Sequence, residues 1–260
     1  MRNPLNATII VGVLASVALS PALVRADDSP VTLKYTTKVG DSQHQQVLVK
    51  ANVGGIDAVV KATQKTLIKE VTDSGDVTYV VTDEGGTITL AGSDQHQDPG
   101  PDITVKRDKL GKLTDWKPSK DFDNPPMSPE VMRATEQLYT VVLPTAPVKE
   151  KDTWKVELDN PIYAKMKIKV ENTYLGIEKV DGVDLWKIKQ SATAPTDADG
   201  GVVTFEGTFW LNPASGQMMK LDGSVKDVPS QYGKLQLTIA VSPVKDDKPA
   251  APQTEKKSPN

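Results

Sequence analysis

The sequence predicts a mainly β protein: antiparallel meanders forming one or two curved sheets or half barrels, in a pseudo-duplicated arrangement with one central helix. Three observations predict it. Apolar residues alternate with polar ones at period 2 over much of the chain, which is the pattern of strands with one buried face. Turn signals rich in Gly, Asp and Asn separate those runs. The turns also recur at a nearly constant offset, as a repeated unit would place them.

The first 26 residues read as a secretory signal peptide. Arg2 lies beside the amino terminus, and the apolar run ATIIVGVLASVAL follows from Ala7 to Leu19. Ser20 and Pro21 break it, and Val24 and Ala26 put small residues where a signal peptidase reads them. A membrane span needs about 20 apolar residues, more than this run supplies. The mature chain is expected to begin at Asp27 and to work outside the cytoplasm, in the periplasm or extracellularly, with no transmembrane segment. There is no cysteine, so neither an acylated lipoprotein anchor nor a disulfide framework is expected. Loss of Arg2 and Arg25 removes two positive charges and takes the formal net charge from −3 to −5. Nothing in that balance favours nucleic acid as a partner.

A first β half is expected over residues 27–116. Val47, Val49, Ala51 and Val53 alternate with polar neighbours, as do Ile56, Ala58, Val60 and Ala62. Residues 117–143 form a Pro-rich linker and a helix. Ser128 is the expected N-cap, Pro129 the first helical residue, and Val131, Ala134, Leu138 and Val141 share one face up to about Thr140. A second β half covers 144–244. It contains the runs Met166–Ile168–Val170 and Leu235–Leu237–Ile239–Val241, and the set Val203, Phe205, Phe209 and Leu211 with Gly207 among them. Residues 245–260, nearly without apolar side chains, form an expected disordered tail. Val39-Gly40-Asp41 opens the first half as Glu150-Lys151-Asp152 opens the second. Gly75 matches Gly182, and Gly111 matches Gly216, so the offset drifts from 111 to 105.

The stretch LPTAPVKEKDTW, residues 143–154, resembles the Leu-Pro, Pro-Val, Gly-Asp-x-Trp signature of exported bacterial β-rich families of unknown function. Lys151 stands where that signature has Gly. Those families are similar in layout to half-barrel lipoprotein carriers and chaperones of the LolA and LolB kind. The resemblance implies a fold and an apolar ligand, and it brings no catalytic residue.

Chemistry-bearing constellations are few. Cysteine nucleophiles are absent, and the chain has two histidines, His44 and His96, with no Gly-x-Ser-x-Gly elbow. Asp94, His96 and Asp98 fall in a polar stretch read as a solvated loop between hairpins. Asp197-Ala-Asp199-Gly200-Gly201 lacks the third ligand and the distal Glu of a calcium loop and reads as a β turn. No catalytic residue, metal site or cofactor is assigned. Val131, Leu138 and Trp210 are the candidate ligand-binding residues. The first two lie on the helix face turned to the sheet. Trp210 shares its strand parity with Thr204, Glu206 and Thr208, so it is either covered on a second face or an exposed binding aromatic.

Three functions compete at this stage. One is a binding protein whose inner face holds an apolar or amphipathic ligand such as lipid. The small inner residues Ala51, Ala58, Ala62 and Gly207 would leave it room, unless Met132, Met166, Met218 and Met219 fill that room. The alternative is a non-enzymatic structural or interaction module of the cell envelope. A carboxylate-dependent hydrolase ranks last.

Overall fold

The computed structural model describes residues 29–53, 55–122, 127–231 and 233–244. The signal segment, the tail 245–260 and part of the Pro-rich linker lie outside the described residues. The first half supplies β1 (Ser42–Val53), β2 (Ile56–Val71), β3 (Val77–Leu90), β4 (Ser93–Gln97), β5 (Ile103–Arg107) and β6 (Leu113–Pro118). Helix α1 (Pro129–Leu138) follows. The second half supplies β7 (Thr153–Leu158), β8 (Ile168–Val180), β9 (Val183–Pro195), β10 (Val202–Leu211), β11 (Met218–Ser230) and β12 (Gly233–Pro243).

All twelve strands belong to one antiparallel, curved and unclosed sheet, in the order β6-β5-β3-β2-β1-β12-β11-β10-β9-β8-β7, with β4 branching from β3. The order β6-β5-β3-β2-β1 is repeated as β11-β10-β9-β8-β7, and β12 joins the two series by pairing with both β1 and β11. Of the arrangements the sequence allowed, the single sheet is the one found.

The two series also share their turns. Gly40 N–H donates to the Ile68 carbonyl while Ile68 N–H donates to Asp41. In the second half Lys151 N–H donates to the Tyr174 carbonyl and Tyr174 N–H to Asp152. The β5–β6 turn closes through Gly111 N–H to the Asp108 carbonyl, and the β10–β11 turn through Gly216 N–H to the Asn212 carbonyl. Each lead-in segment then docks on the other series' turn. Thr36 N–H donates to Ser215, and Leu143 N–H donates to Leu110. Tyr35 lies against both turn glycines. A Cβ on Gly111 or Gly216 would come within 2.7 or 2.8 Å of its ring.

Helix α1 begins where its cap residues put it. Ser128 is extended, its Oγ accepts from Val131 N–H at 3.4 Å, and Pro129 follows at the first turn. Val131, Ala134 and Leu138 are buried against the second series, in a core with Phe205, Phe209, Ile188 and Leu221. Gln190 Nε2 donates 2.7 Å to the Leu138 carbonyl, tying down a helix end that has no basic residue in its last turn. The room expected at Gly207 does not exist. Gly207 and Gly223 face each other across β10 and β11, and the Phe205 ring lies over the pair, with its Cζ 2.5 Å from where a Gly207 Cβ would be. Asp94 and His96, read as loop, lie in β4 and pair with Thr89 and Thr87 of β3.

Candidate functional site

Because the apolar face of α1 packs into the core of the second series, the inner face of the first series is only partly covered. The register fixes which side chains share it. Gln43, Gln45, Val47 and Val49 of β1 stand opposite Thr66, Gln64, Ala62 and Val60 of β2. Thr66 and Ile68 pair with Val81 and Tyr79 of β3, and these pair with Ile103 and Val105 of β5. With Thr135 and Glu136 of the helix and Tyr139 just beyond its end as the facing wall, these strands enclose a groove of about 440 Å³. That size falls within the roughly 300–1,000 Å³ range of small-molecule sites.

The lining has two apolar zones. Ile68, Val81, Ile103 and Val105 make one; Val47, Val49, Leu237 and Ile239 make the other. Between them runs a polar rung formed by Gln43 with Thr66 and Gln45 with Gln64. The Nε2 groups of Gln43 and Gln45 both donate to the Met218 carbonyl at 2.9 Å, which fixes them to β11. Met218 lines the groove; Met166, weighed with it as a filler, is exposed.

Arg107, at the end of β5, is the groove's buried cation. Its side chain is 7% exposed and pairs with Glu136 on α1 at 2.7 Å. Nε donates 2.7 Å to the Tyr79 hydroxyl, Nη1 donates 3.0 Å to the Gly111 carbonyl, and Nη2 also reaches the Glu136 carbonyl at 3.4 Å. One side chain thus bridges sheet, turn and helix. Burial pushes the Tyr79 phenol up to about 12, against the opposing pull of the adjacent guanidinium. Burial likewise raises Tyr35 and Tyr139 above the usual phenol range. Sequence reasoning missed Arg107. An arginine closing a VKR run before a Gly turn looks like a solvated strand end, and only the helix crossing above it shows otherwise.

The sequence-selected residues fall elsewhere. Val131 and Leu138 are packed into the helix–sheet core and do not line the groove. Trp210 is on the opposite face of the sheet, 6% exposed. It pairs in register with Lys187 and Lys220, whose Nζ atoms stand 5.4 and 4.2 Å from its ring centre, so their stems cover it. His96 lies 3.5 Å from Asp98, both exposed, while Asp94 accepts from Thr89 Oγ1 at 2.6 Å. Asp197 accepts from Gly201 N–H and Asp199 N–H, and these turn contacts hold its carboxyl below the usual range. Among the described residues no group of three or more metal-ligating side chains converges.

An open half barrel, solid beneath its helix in one series and hollow in the other, is the class of structure these residues build. No protein-family model matches the chain, and no curated protein sequence matches it. Similar solved structures do exist. One is described as an inferred exported protein with a YmcC-like fold from Bacteroides fragilis, 10% identical, covering 83% of this chain and 100% of that one, with a TM-score of 0.34. Another is an inferred lipoprotein from Parabacteroides distasonis, 13% identical, covering 81% and 97%, with a TM-score of 0.33. A third is an inferred outer-membrane lipoprotein-sorting protein domain from Vibrio parahaemolyticus, 10% identical, covering 78% and 83%, with a TM-score of 0.22.

Proposed function

We propose that this is an exported, non-enzymatic binding protein whose groove holds the apolar part of an amphipathic ligand such as a lipid. One observation carries the reading: the inner face of the first series is left hollow, with half-buried Val47, Val49, Val81 and Ile103 lining a groove of about 440 Å³ together with the buried Ile68, Val105, Leu237 and Ile239. Exposed contiguous apolar surface is costly unless something is bound there. The polar rung adds neutral groups that can orient a ligand. Export rests on residues 1–26, with the periplasm or the extracellular medium as destination.

The test is saturable binding of an environment-sensitive apolar dye to the mature chain, displaced by a lipid extract. Val81→Trp would fill the groove from β3 and is expected to reduce dye binding at least tenfold, with the circular dichroism spectrum unchanged. If dye neither binds nor responds to Val81→Trp, the envelope interaction module is the surviving reading.

A further inference from the structure

We propose that the groove selects an uncharged amphiphile, an acyl chain carrying ester, amide or hydroxyl groups, over one ending in a free carboxylate or phosphate. The inference rests on the groove being a ligand site and concerns which chemistry fits it.

Charge complementarity is the argument. The charged side chains lining the groove, among the described residues, are Arg107, Asp108 and Glu136. Arg107 is spent on Glu136 at 2.7 Å. Four of the five guanidinium donors have protein acceptors, in Tyr79, Gly111 and Glu136. Asp108 turns its Oδ1 to the backbone N–H groups of Leu110 and Lys112, both at 2.9 Å, and has no cation in the groove to cancel it. The lining therefore carries one excess negative charge and no free cation.

An anionic head entering here would lose hydration and gain no unpaired positive partner, and such desolvation is expensive. The polar groups that face the two apolar zones are of another kind. Gln43, Gln45, Gln64 and Thr66 are neutral amides and a hydroxyl, paired across β1 and β2 in the groove lining. Gln43 and Gln45 commit their Nε2 groups to Met218, which leaves their carbonyl oxygens to accept from a ligand O–H or N–H. Gln64 and Thr66 bring both donors and acceptors. A neutral ester, amide or hydroxyl between apolar segments matches this sequence of surfaces, and a terminal anion does not.

The experiment is dye displacement from the mature chain by monomyristoylglycerol and by myristate, which share one acyl chain, at neutral pH and below their critical micelle concentrations. Monomyristoylglycerol is expected to displace at least tenfold more tightly. Glu136→Gln, which frees Arg107, is expected to narrow or reverse that ratio, a change that general loosening of the helix would not produce. Myristate binding as tightly as the glycerol ester in the unmodified protein would overturn the selectivity and leave the groove reading standing. Displacement by neither compound from a site that binds dye would overturn the selectivity for acyl chains. A chain that binds no dye at all would overturn the groove reading itself, and the selectivity with it.

Discussion

Asp41 and Asp152 close the same turn in the two series: each carboxylate accepts, at 2.8 Å, from the backbone N–H three residues before it, in Lys38 and Lys149. The residue before each aspartate is left-handed, Gly40 at φ 90° and Lys151 at φ 72°. The second turn keeps the geometry but gives the left-handed position to a residue with a Cβ.

Lys151→Gly is therefore expected to stabilise the protein. A left-handed conformation costs an L-residue roughly 1–2 kcal/mol, and glycine returns about 0.5–1 kcal/mol of that through its freer unfolded chain. A net gain of about 0.5–1 kcal/mol should raise the urea midpoint. A lowered midpoint would mean that the Lys151 side chain contributes a contact worth more than the strain.

Gly86→Ala is expected to have the opposite effect. Its Cβ would lie 1.9 Å from the Lys61 carbonyl oxygen, on the backbone of the neighbouring strand. No rotamer relieves that clash, so β2 and β3 must separate, at a cost of about 3 kcal/mol. An unchanged denaturation midpoint would show that the two strands do not approach so closely.

The tyrosines around the groove give the stability a defined dependence at high pH. Tyr79 keeps its proton up to about 12 in the folded state, whereas the unfolded residue loses it near 10. Above 10 the unfolded state releases the proton first. The contribution of Tyr79 is thus present below pH 10 and is lost as pH rises from 10 to 12. The full effect is roughly 2–3 kcal/mol. Tyr79→Phe should flatten the fall of unfolding free energy across that window relative to the parent. Equal slopes for parent and variant would place Tyr79 in solvent.

The two inner faces should differ in their response to truncation. Leu138 is 1% exposed inside the solid half, so Leu138→Ala is expected to cost about 2–5 kcal/mol. Val81→Ala, on the half-buried groove wall, is expected to cost less than about 1.5 kcal/mol. Similar losses at both positions, measured by denaturant unfolding, would mean that the groove is as well packed as the core.

Strands, the helix and its cap were legible because each is written in local pattern. Ser128-Pro129 starts the helix, and the parity of Val203, Phe205, Phe209 and Leu211 marks a buried face. Relations between distant residues were not. A glycine at 207 reads as space in sequence, but Phe205 folds over it, and the parity of Trp210 says nothing of Lys187 and Lys220, which flank it from the neighbouring strands. The helix pattern named the face that packs, Val131 and Leu138, and could not say which half of the sheet it packs on. The groove is the consequence of that choice. Its polar members, Gln43, Gln45 and Arg107, had no sequence signal beyond being ordinary strand residues.

The place of β12 has a consequence for how the chain is completed. β12 is the last of the described strands and sits at the centre of the sheet, where Gln45 is paired with Pro243. During synthesis from the amino end, β1 therefore waits with one side unpaired until residues 233–243 have been made. An open strand edge of that kind is a site for wrong partners, and pairings this distant in sequence form slowly. The final strand acts as a keystone. A product cut short before residue 233 would present two exposed edges, on β1 and β11, and should be recovered as aggregate rather than as a smaller folded protein.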